Sequence, residues 1–182
     1  MRKNKLPIKK IIEPAINFFQ NLKTGDQVTI VHAHDCDSVC SAAILAKVCE
    51  IKKIVPNFVV TELNYKVSDE DVEKIERTNV TNIVITDLPV IPEEKFHGKN
   101  VLVVDHHGPA KYKKFTYANP LLHTNIYLPT TYVALKIFEN FSKDKFILWI
   151  AGIGVLADHG VRSCVDLFKE IEKNFPELTS GT

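Results

Sequence analysis

The sequence lacks the long apolar segments of membrane-spanning and secreted proteins. No apolar run approaches the roughly 20 residues needed to cross a bilayer. The basic start, residues 1–10, is not followed by the apolar core of a signal peptide. We therefore predict a cytoplasmic protein with no membrane partner.

Cysteine is scarce, and neither sign of charge is in excess. The 4 cysteines form no Cys-x-x-Cys pair, the spacing typical of structural zinc, so we interpret them as reduced and buried. Lysine and arginine number 23 against 22 acidic residues, which gives a net charge of +1. This balance argues against a uniformly basic nucleic-acid-binding surface but is compatible with a local basic patch.

What the sequence does have is an alternation of predicted strands and helices. Apolar, β-branched runs predict strands at residues 27–33, 57–63, 82–86, 100–104 and, at one edge, 115–119. Helical spacing and capping residues predict helices that begin near residues 13, 37, 68, 130, 144 and 165, the first with Pro14 in its first turn. This order predicts an α/β fold with an open, mainly parallel sheet and helices on both faces.

The organisation along the chain is simple. A basic arm and a helix would occupy residues 1–26, and a core would occupy residues 27–182. No internal repeat, low-complexity segment or linker separates the two parts, so we expect one globular domain.

Acidic and imidazole side chains follow three of the predicted strands and one apolar helix. They are Asp35 and Asp37, Asp87, Asp105 with His106 and His107, and Asp158. Ligands of open α/β sheets bind outside the carboxyl ends of the strands, so we expect these groups to converge. Clustered carboxylates repel one another unless cations lie among them, and an oxygen-rich set favours Mn²⁺ or Mg²⁺. We predict one or two such ions.

Each of these residues has a plainer interpretation when taken alone. A single Asp after a strand is more often a helix cap or turn residue, and a His pair is more often structural than catalytic. Four acidic sites at equivalent points of the topology would not be expected if each were an independent helix cap. We therefore favour metal binding for the set as a whole.

The same residues resemble the Asp-His-His (DHH) phosphoesterases, which include RecJ-like single-strand exonucleases, oligoribonucleases and family II pyrophosphatases. The resemblance runs from about Val28 to Gly160. The third motif is intact at residues 103–107 (VVDHH), the second is similar to residues 85–87 (ITD), and the fourth is similar to residues 154–158 (GVLAD). The resemblance implies a Rossmann-like DHH domain over residues 27–182.

The resemblance also implies a role for each residue of the set. Asp87 would be shared by two metal ions, Asp105 would orient His106, and His107 would donate to the substrate phosphate. The implied reaction is in-line hydrolysis of a phosphodiester by water that two metal ions activate. The implied metal ligands are Asp35, Asp37, Asp87, His106 and Asp158, and the implied catalytic residues are Asp37, Asp87, Asp105, His106, His107 and Asp158.

The first motif departs from the family pattern. Ala33 stands where the family has His or Asp, and His34 or His32 is a candidate replacement ligand, although strand alternation directs His34 to the opposite face from Ala33. Ser38 stands where the family has a glycine that lets phosphate approach the backbone. Its hydroxyl would contact the phosphate, crowd that position or cap the next helix, and we favour the cap.

Three basic residues are candidate substrate contacts. Lys111 and Lys113, interleaved with Tyr112, follow the Asp-His-His segment closely, and a basic, aromatic loop suits a single strand. Arg162 would hold a phosphate, cap a helix or pair with Asp166. Short lysine clusters in loops are more often simply solvated, and that alternative stays open.

Three functions compete. We expect a RecJ-like, single-strand-specific nuclease in DNA repair that hydrolyses DNA, RNA or short oligonucleotides. The departures at Ala33 and Ser38, together with the lack of a glycine-rich substrate domain after Asp158, favour a catalytically weakened scaffold subunit of a replication or repair complex. Residues 35–42 (DCDSVCSA) resemble the replicative-helicase subunit of this family in eukaryotes. The third function is a phosphohydrolase of small molecules such as pyrophosphate or a dinucleotide.

Overall fold

A five-stranded parallel sheet organises the chain. The computed structural model describes residues 7–176. The sheet contains β1 (Gln27–His32), β2 (Val55–Val60), β3 (Asn82–Thr86), β4 (Asn100–Val104) and β5 (Thr116–Ala118). Their order across the sheet is β2-β1-β3-β4-β5, and each adjacent pair is parallel.

Six helices connect the strands or follow them. They are α1 (Ile8–Asn21), α2 (Cys36–Ile51), α3 (Asp69–Arg77), α4 (Thr130–Phe138), α5 (Ile147–Ala157) and α6 (Val165–Asn174). Parallel strands require crossover connections, and helices supply several of them here. The predicted α/β fold, with an open parallel sheet and helices on both faces, is confirmed.

The central strands are buried on both faces. In β3, Val84 belongs to the larger core, which α1, α2, α4, α5 and α6 cover, whereas Ile83 and Ile85 belong to a smaller core on the α3 side. This double burial explains why the central strands are continuous apolar runs without a polar face. Ile11 and Phe19 of α1 lie in the larger core, so this helix packs against the rest of the chain.

Two predicted boundaries were wrong. Helix α1 begins at Ile8 and contains Pro14 in its interior, because Ile11 and Ile12 pack into the core and extend the helix past the proline. The remainder of the expected basic arm lies outside the described residues. Strand β2 runs over Val55–Val60 instead of residues 57–63, with Pro56 tolerated because β2 is an edge strand.

Within residues 7–176, none of the helices combines the length and the apolar character that crossing a bilayer requires.

Candidate metal centre

Segments that follow β1, β3 and β4 bring acidic and imidazole side chains close together. Asp87 is the first residue after β3, and its N–H donates to Val104 O at 2.9 Å, so the β3–β4 ladder reaches the site itself. Asp87 has a φ of 60°. Left-handed backbone is uncommon outside glycine and is concentrated at functional sites. Helix α5 ends at Ala157 with Asp158 as its C-cap, and the next residue, His159, has the left-handed conformation that stops the helix.

Two groups of three side chains bring possible ligand atoms within 4.8 Å of one another. One group is Asp87, His106 and His107, and the other is Asp37, His106 and Asp158. His106 belongs to both, with Nε2 3.3 Å from Asp87 Oδ1 and Nδ1 3.7 Å from Asp158 Oδ2. The resemblance gave this shared position to Asp87.

The first turn of α4 holds two buried carboxylates of the cluster, Asp37 and Asp87. The N–H groups of Thr130 and Thr131 donate to Asp37 Oδ2 and Oδ1 at 2.8 and 2.9 Å, and the Thr130 hydroxyl donates to Asp87 Oδ1 at 2.8 Å. A helix N-terminus has N–H groups without partners inside the helix, and these favour an anion. Neither threonine was predicted to be part of the site, although two hydroxyl residues at the start of an apolar helix were a usable signal.

Asp105 orients His107, and the prediction that it orients His106 was wrong. Asp105 Oδ1 lies 2.8 Å from His107 Nδ1, and Oδ2 accepts from Tyr117 and Asn119, both at 3.3 Å. The Asp105 N–H donates to Ala118 O, which continues the β4–β5 ladder past β4. Alternate residues of an extended chain share a side, so Asp105 faces His107 and not its immediate neighbour.

His106 has a buried nitrogen without a hydrogen-bond partner. Its Nδ1 accepts or donates no hydrogen bond among the described residues. A buried polar atom left unpaired costs about 1–3 kcal/mol. A cation between Nδ1 and the neighbouring carboxylates would satisfy this atom, so the residues present fit a divalent metal ion.

The electrostatics of the cluster also favour a cation. Burial raises the pKa of Asp37 to about 6, and burial together with the charge of Asp37 raises the pKa of Asp87 to about 9. Burial lowers the pKa of His106, whereas the hydrogen bond to Asp105 raises that of His107. The side chains around these carboxylates therefore do not balance their negative charge, and a bound cation would do so.

A tyrosine that the sequence analysis did not consider borders the cluster. The Tyr127 hydroxyl donates to the Asp158 carboxylate, and its ring centroid lies 5.1 Å from that of His106 in an edge-on contact. Tyr127 lies in the loop before α4, and no periodicity or motif marks this position.

Comparison with known proteins identifies the fold. No protein-family model matches the sequence, and no curated protein matches it. The solved structure of exonuclease RecJ bound to manganese matches 84% of this chain with a TM-score of 0.69 at 20% identity. The chain has a RecJ-like DHH domain fold.

Two further structures share this DHH fold. CDC45 from Entamoeba histolytica matches 93% of the chain with a TM-score of 0.61 at 16% identity. An exopolyphosphatase-related protein from Bacteroides fragilis matches 91% of the chain with a TM-score of 0.60 at 11% identity. The chain spans only 44%, 37% and 56% of the RecJ, CDC45 and exopolyphosphatase-related chains, respectively.

In the first of the four motifs, Asp35 caps a helix, whereas Asp37 belongs to one of the ligand groups. Asp35 is the N-cap of α2 and accepts from the Ser38 N–H at 2.9 Å, outside both ligand groups. The prediction that the Ser38 hydroxyl caps α2 was wrong, because the cap position belongs to Asp35. Ser38 is fully buried, and its hydroxyl accepts from the Ala33 N–H at 2.7 Å and donates to Thr86 O at 3.5 Å. That hydroxyl ties the ends of β1 and β3 together.

The remaining candidate residues lie at the surface. His34 is exposed and outside both ligand groups. Lys111 and Lys113 are exposed and form no ion pair within residues 7–176, while Glu93 accepts from the Lys113 N–H at 2.8 Å and so fixes their loop. Arg162 is exposed as well.

Asp166, which the sequence analysis considered as a partner of Arg162, is engaged elsewhere. Its carboxylate accepts from the Tyr132 hydroxyl at 2.8 Å and pairs with Lys136 at 3.3 Å. Within the described residues Arg162 therefore makes no ion pair with it.

Proposed function

We propose that the protein is a divalent-metal-dependent phosphoesterase that hydrolyses single-stranded DNA, RNA or short oligonucleotides in the manner of RecJ. The observation that carries the proposal is the buried, unpartnered His106 Nδ1 among the carboxylates of Asp37, Asp87 and Asp158. Its fold, shared with a RecJ structure bound to manganese, supports the proposal. Its cytoplasmic location and a role in DNA repair stay predictions.

Four residues would hold the metal. Asp37, Asp87, His106 and Asp158 provide carboxylate oxygens and one imidazole, which suit Mn²⁺ or Mg²⁺. When bound, such ions supply Lewis-acid chemistry that activates water and stabilises charge on the phosphate oxygens. Asp35 and His34 lie outside both ligand groups, and their metal-binding role stays a prediction.

His107 would act on the substrate. Asp105 accepts from its Nδ1 and raises its pKa, so the ring keeps a proton more readily than a free histidine. The His107 side chain is 40% exposed, so it is accessible to a substrate at the metal centre. In this role Nε2 donates a hydrogen bond to a phosphate oxygen and offsets charge that develops there.

The basic loop would bind the nucleic-acid strand. Lys111 and Lys113 present exposed ammonium groups on a loop that Glu93 fixes, and Arg162 is exposed near Asp158 in the sequence. Phosphates of a single strand attract such groups, and aromatic side chains stack on its bases.

A scaffold role in a replication or repair complex is the second candidate. Ala33 provides no ligand, and Asp35 serves as a helix cap, so the first motif contributes less to the cluster than the resemblance implies. The similarity of the fold to CDC45 agrees with this alternative. A small-molecule phosphohydrolase is the third, and the exopolyphosphatase-related structure supports it.

An assay of Mn²⁺-dependent hydrolysis separates the three. Labelled single-stranded oligonucleotides and pyrophosphate are compared under identical conditions, with Asp87→Asn and His106→Ala as site variants and the exposed Glu172→Gln as control. We expect the native protein to hydrolyse the oligonucleotides. The rate of hydrolysis should fall by at least about 100-fold in both site variants, which is the usual effect of removing one group that stabilises the transition state.

Other outcomes would contradict the proposal. Hydrolysis of pyrophosphate alone would favour the small-molecule enzyme. Mn²⁺ binding without turnover of either substrate would favour the scaffold. Full activity of both site variants would overturn the assignment of the site.

A further inference from the structure

Asp158 is anchored differently from the other acids of the metal centre. Asp37 accepts hydrogen bonds from two backbone N–H groups, and Asp87 accepts one from the Thr130 hydroxyl. Asp105 accepts hydrogen bonds from side chains in β5 and directly after it. Asp158 follows the C-terminal end of α5, where a helix offers unpaired carbonyl groups and no free N–H groups. Its carboxylate therefore needs a donor from another part of the chain.

Tyr127 supplies that donor. Within residues 7–176, its hydroxyl is the one hydrogen-bond donor to the Asp158 carboxylate, and it lies 3.1 Å from Asp158 O as well. The hydroxyl contacts Oδ2, the oxygen that lies 3.7 Å from His106 Nδ1. Tyr127 thus fixes the oxygen of Asp158 that faces the unpartnered nitrogen of His106.

The ring of Tyr127 also contacts His106. The two ring centroids are 5.1 Å apart, and the planes meet at 65°. One side chain therefore touches two of the three members of the group Asp37, His106 and Asp158. Tyr127 itself is 41% exposed, so it is not a residue of the buried core.

The chemistry of a carboxylate allows this arrangement to serve a metal. Each oxygen has two lone pairs, so Oδ2 can accept from a hydroxyl and still face a cation. The Asp158 side chain is 28% exposed, so without the Tyr127 hydroxyl its carboxylate would have more rotational freedom. Ordering it at the moment of binding would cost conformational entropy, whereas a group ordered beforehand avoids most of that cost.

We propose that Tyr127 is a positioning residue that sets the affinity of the metal centre by fixing Asp158 beside His106. It acts through these two residues and contacts no substrate in this role. The inference rests on the metal centre of the proposed function.

Calorimetric titration with Mn²⁺ alone tests the inference without any substrate. Tyr127→Phe keeps the ring and removes the hydroxyl, and Tyr65→Phe is the matched control at an exposed tyrosine outside the centre. We expect Tyr127→Phe to bind Mn²⁺ about 10- to 100-fold more weakly, the usual effect of losing a hydrogen bond that supports a ligand. Tyr65→Phe should bind like the native protein, and both variants should keep the metal-free melting temperature.

A double-variant cycle separates positioning from a general structural effect. If Tyr127 acts through Asp158, the variant that combines Tyr127→Phe with Asp158→Asn binds Mn²⁺ no more weakly than Asp158→Asn alone. The electron paramagnetic resonance spectrum of bound Mn²⁺ should also differ between the native protein and Tyr127→Phe.

The outcomes distinguish this inference from the proposed function. Equal Mn²⁺ affinity of the native protein and Tyr127→Phe would overturn the inference and leave the metal centre in place. Independent, additive losses in the cycle would overturn it as well. A native protein that binds no Mn²⁺ would overturn both the inference and the proposed function.

Discussion

The two ends of the metal centre are held in different ways. We call Asp37 and Asp87 the inner end, and His107 and Asp158 the outer end. The inner residues are 4% and 3% exposed and are held by the backbone and hydroxyl groups of α4. The outer side chains are 40% and 28% exposed and are held by single side chains, Asp105 and Tyr127.

This difference indicates that the two ends have different roles in the metal centre. The inner end is arranged by the fold itself, because α4 must pack on α2 for the donors to reach Asp37. The outer end is more open to solvent, and single side chains hold it in place, which suits groups that meet a substrate or an ion from solvent. His106 lies between the two ends and contributes one nitrogen toward each.

The largest expected effect compares one acid from each end within the same ligand group. Asp37→Asn should lower Mn²⁺ affinity by more than about 100-fold, beyond the usual effect of losing a supporting hydrogen bond. Asp158→Asn should lower it less, because water can reach the outer position and replace the lost ligand. Calorimetry measures both. Equal losses would remove the distinction between the two ends.

The next prediction concerns the packing behind the inner end. A Cβ at Gly154 would lie 2.9 Å from Cys40 Cβ and would clash with the Thr131 hydroxyl, which donates to Asp37 O. We expect Gly154→Ala to lower the free energy of unfolding by about 1–3 kcal/mol, since overpacking in a filled core costs that much.

Gly152→Ala in the same helix is the control for this variant. A Cβ there would meet Ile171 Cδ1, the end of a flexible side chain that can move aside. Urea denaturation compares the two. If Gly154→Ala is as stable as Gly152→Ala, the inner end does not depend on close packing of α5.

Stability of the metal-free protein should fall as pH rises. The pKa values of Asp37 and Asp87 rise from 3.8 to about 6 and about 9 in the folded state, so that state binds more protons than the unfolded chain. The contribution of these two carboxyl groups to the free energy of unfolding is complete below about pH 4. It is lost progressively as the pH rises through about 6 and about 9. Saturating Mn²⁺ should reverse the trend by favouring the ionised carboxylates.

Urea denaturation between pH 5 and pH 9 checks this dependence. The variant Asp87→Asn should show a weaker dependence than the native protein, while Glu172→Gln should not change it. Rising stability of the metal-free native protein over the same range would contradict the assigned burial of the inner carboxylates.

The smallest effect concerns the outer end. Asp105→Asn should lower the pKa of His107, because the hydrogen bond from His107 Nδ1 to Asp105 is the main cause of its upward shift. Titration of the ring by NMR measures this change, with the exposed Asp69→Asn as control. A change confined to His106 would restore the expectation from the sequence that Asp105 orients that ring.

The sequence predicts the part of the centre that follows directly from strands. Strands β3 and β4 match their predicted bounds, and Asp87 and His106 follow them in line, so their convergence needs only the rule for parallel sheets. Which of two nearby residues caps α2 was harder to predict. Asp35 and Ser38 are both capping residue types, and only the backbone shows that residue 35 is the last one outside α2.

Contacts between distant residues were beyond prediction from one sequence. Asp37 and Thr130 are 93 residues apart, and Tyr127 and Asp158 are 31 apart. No period or motif links such positions, because their contact depends on how α4 and α5 pack against α2. The donors that hold the acids were therefore missed even though the acids were found.

The most direct test of the metal centre is an anomalous difference map from crystals of the protein grown with Mn²⁺. We expect a manganese peak among the side chains of Asp37, Asp87, His106 and Asp158. Manganese peaks only elsewhere on the protein, or no peak at this cluster with Mn²⁺ in excess, would contradict it.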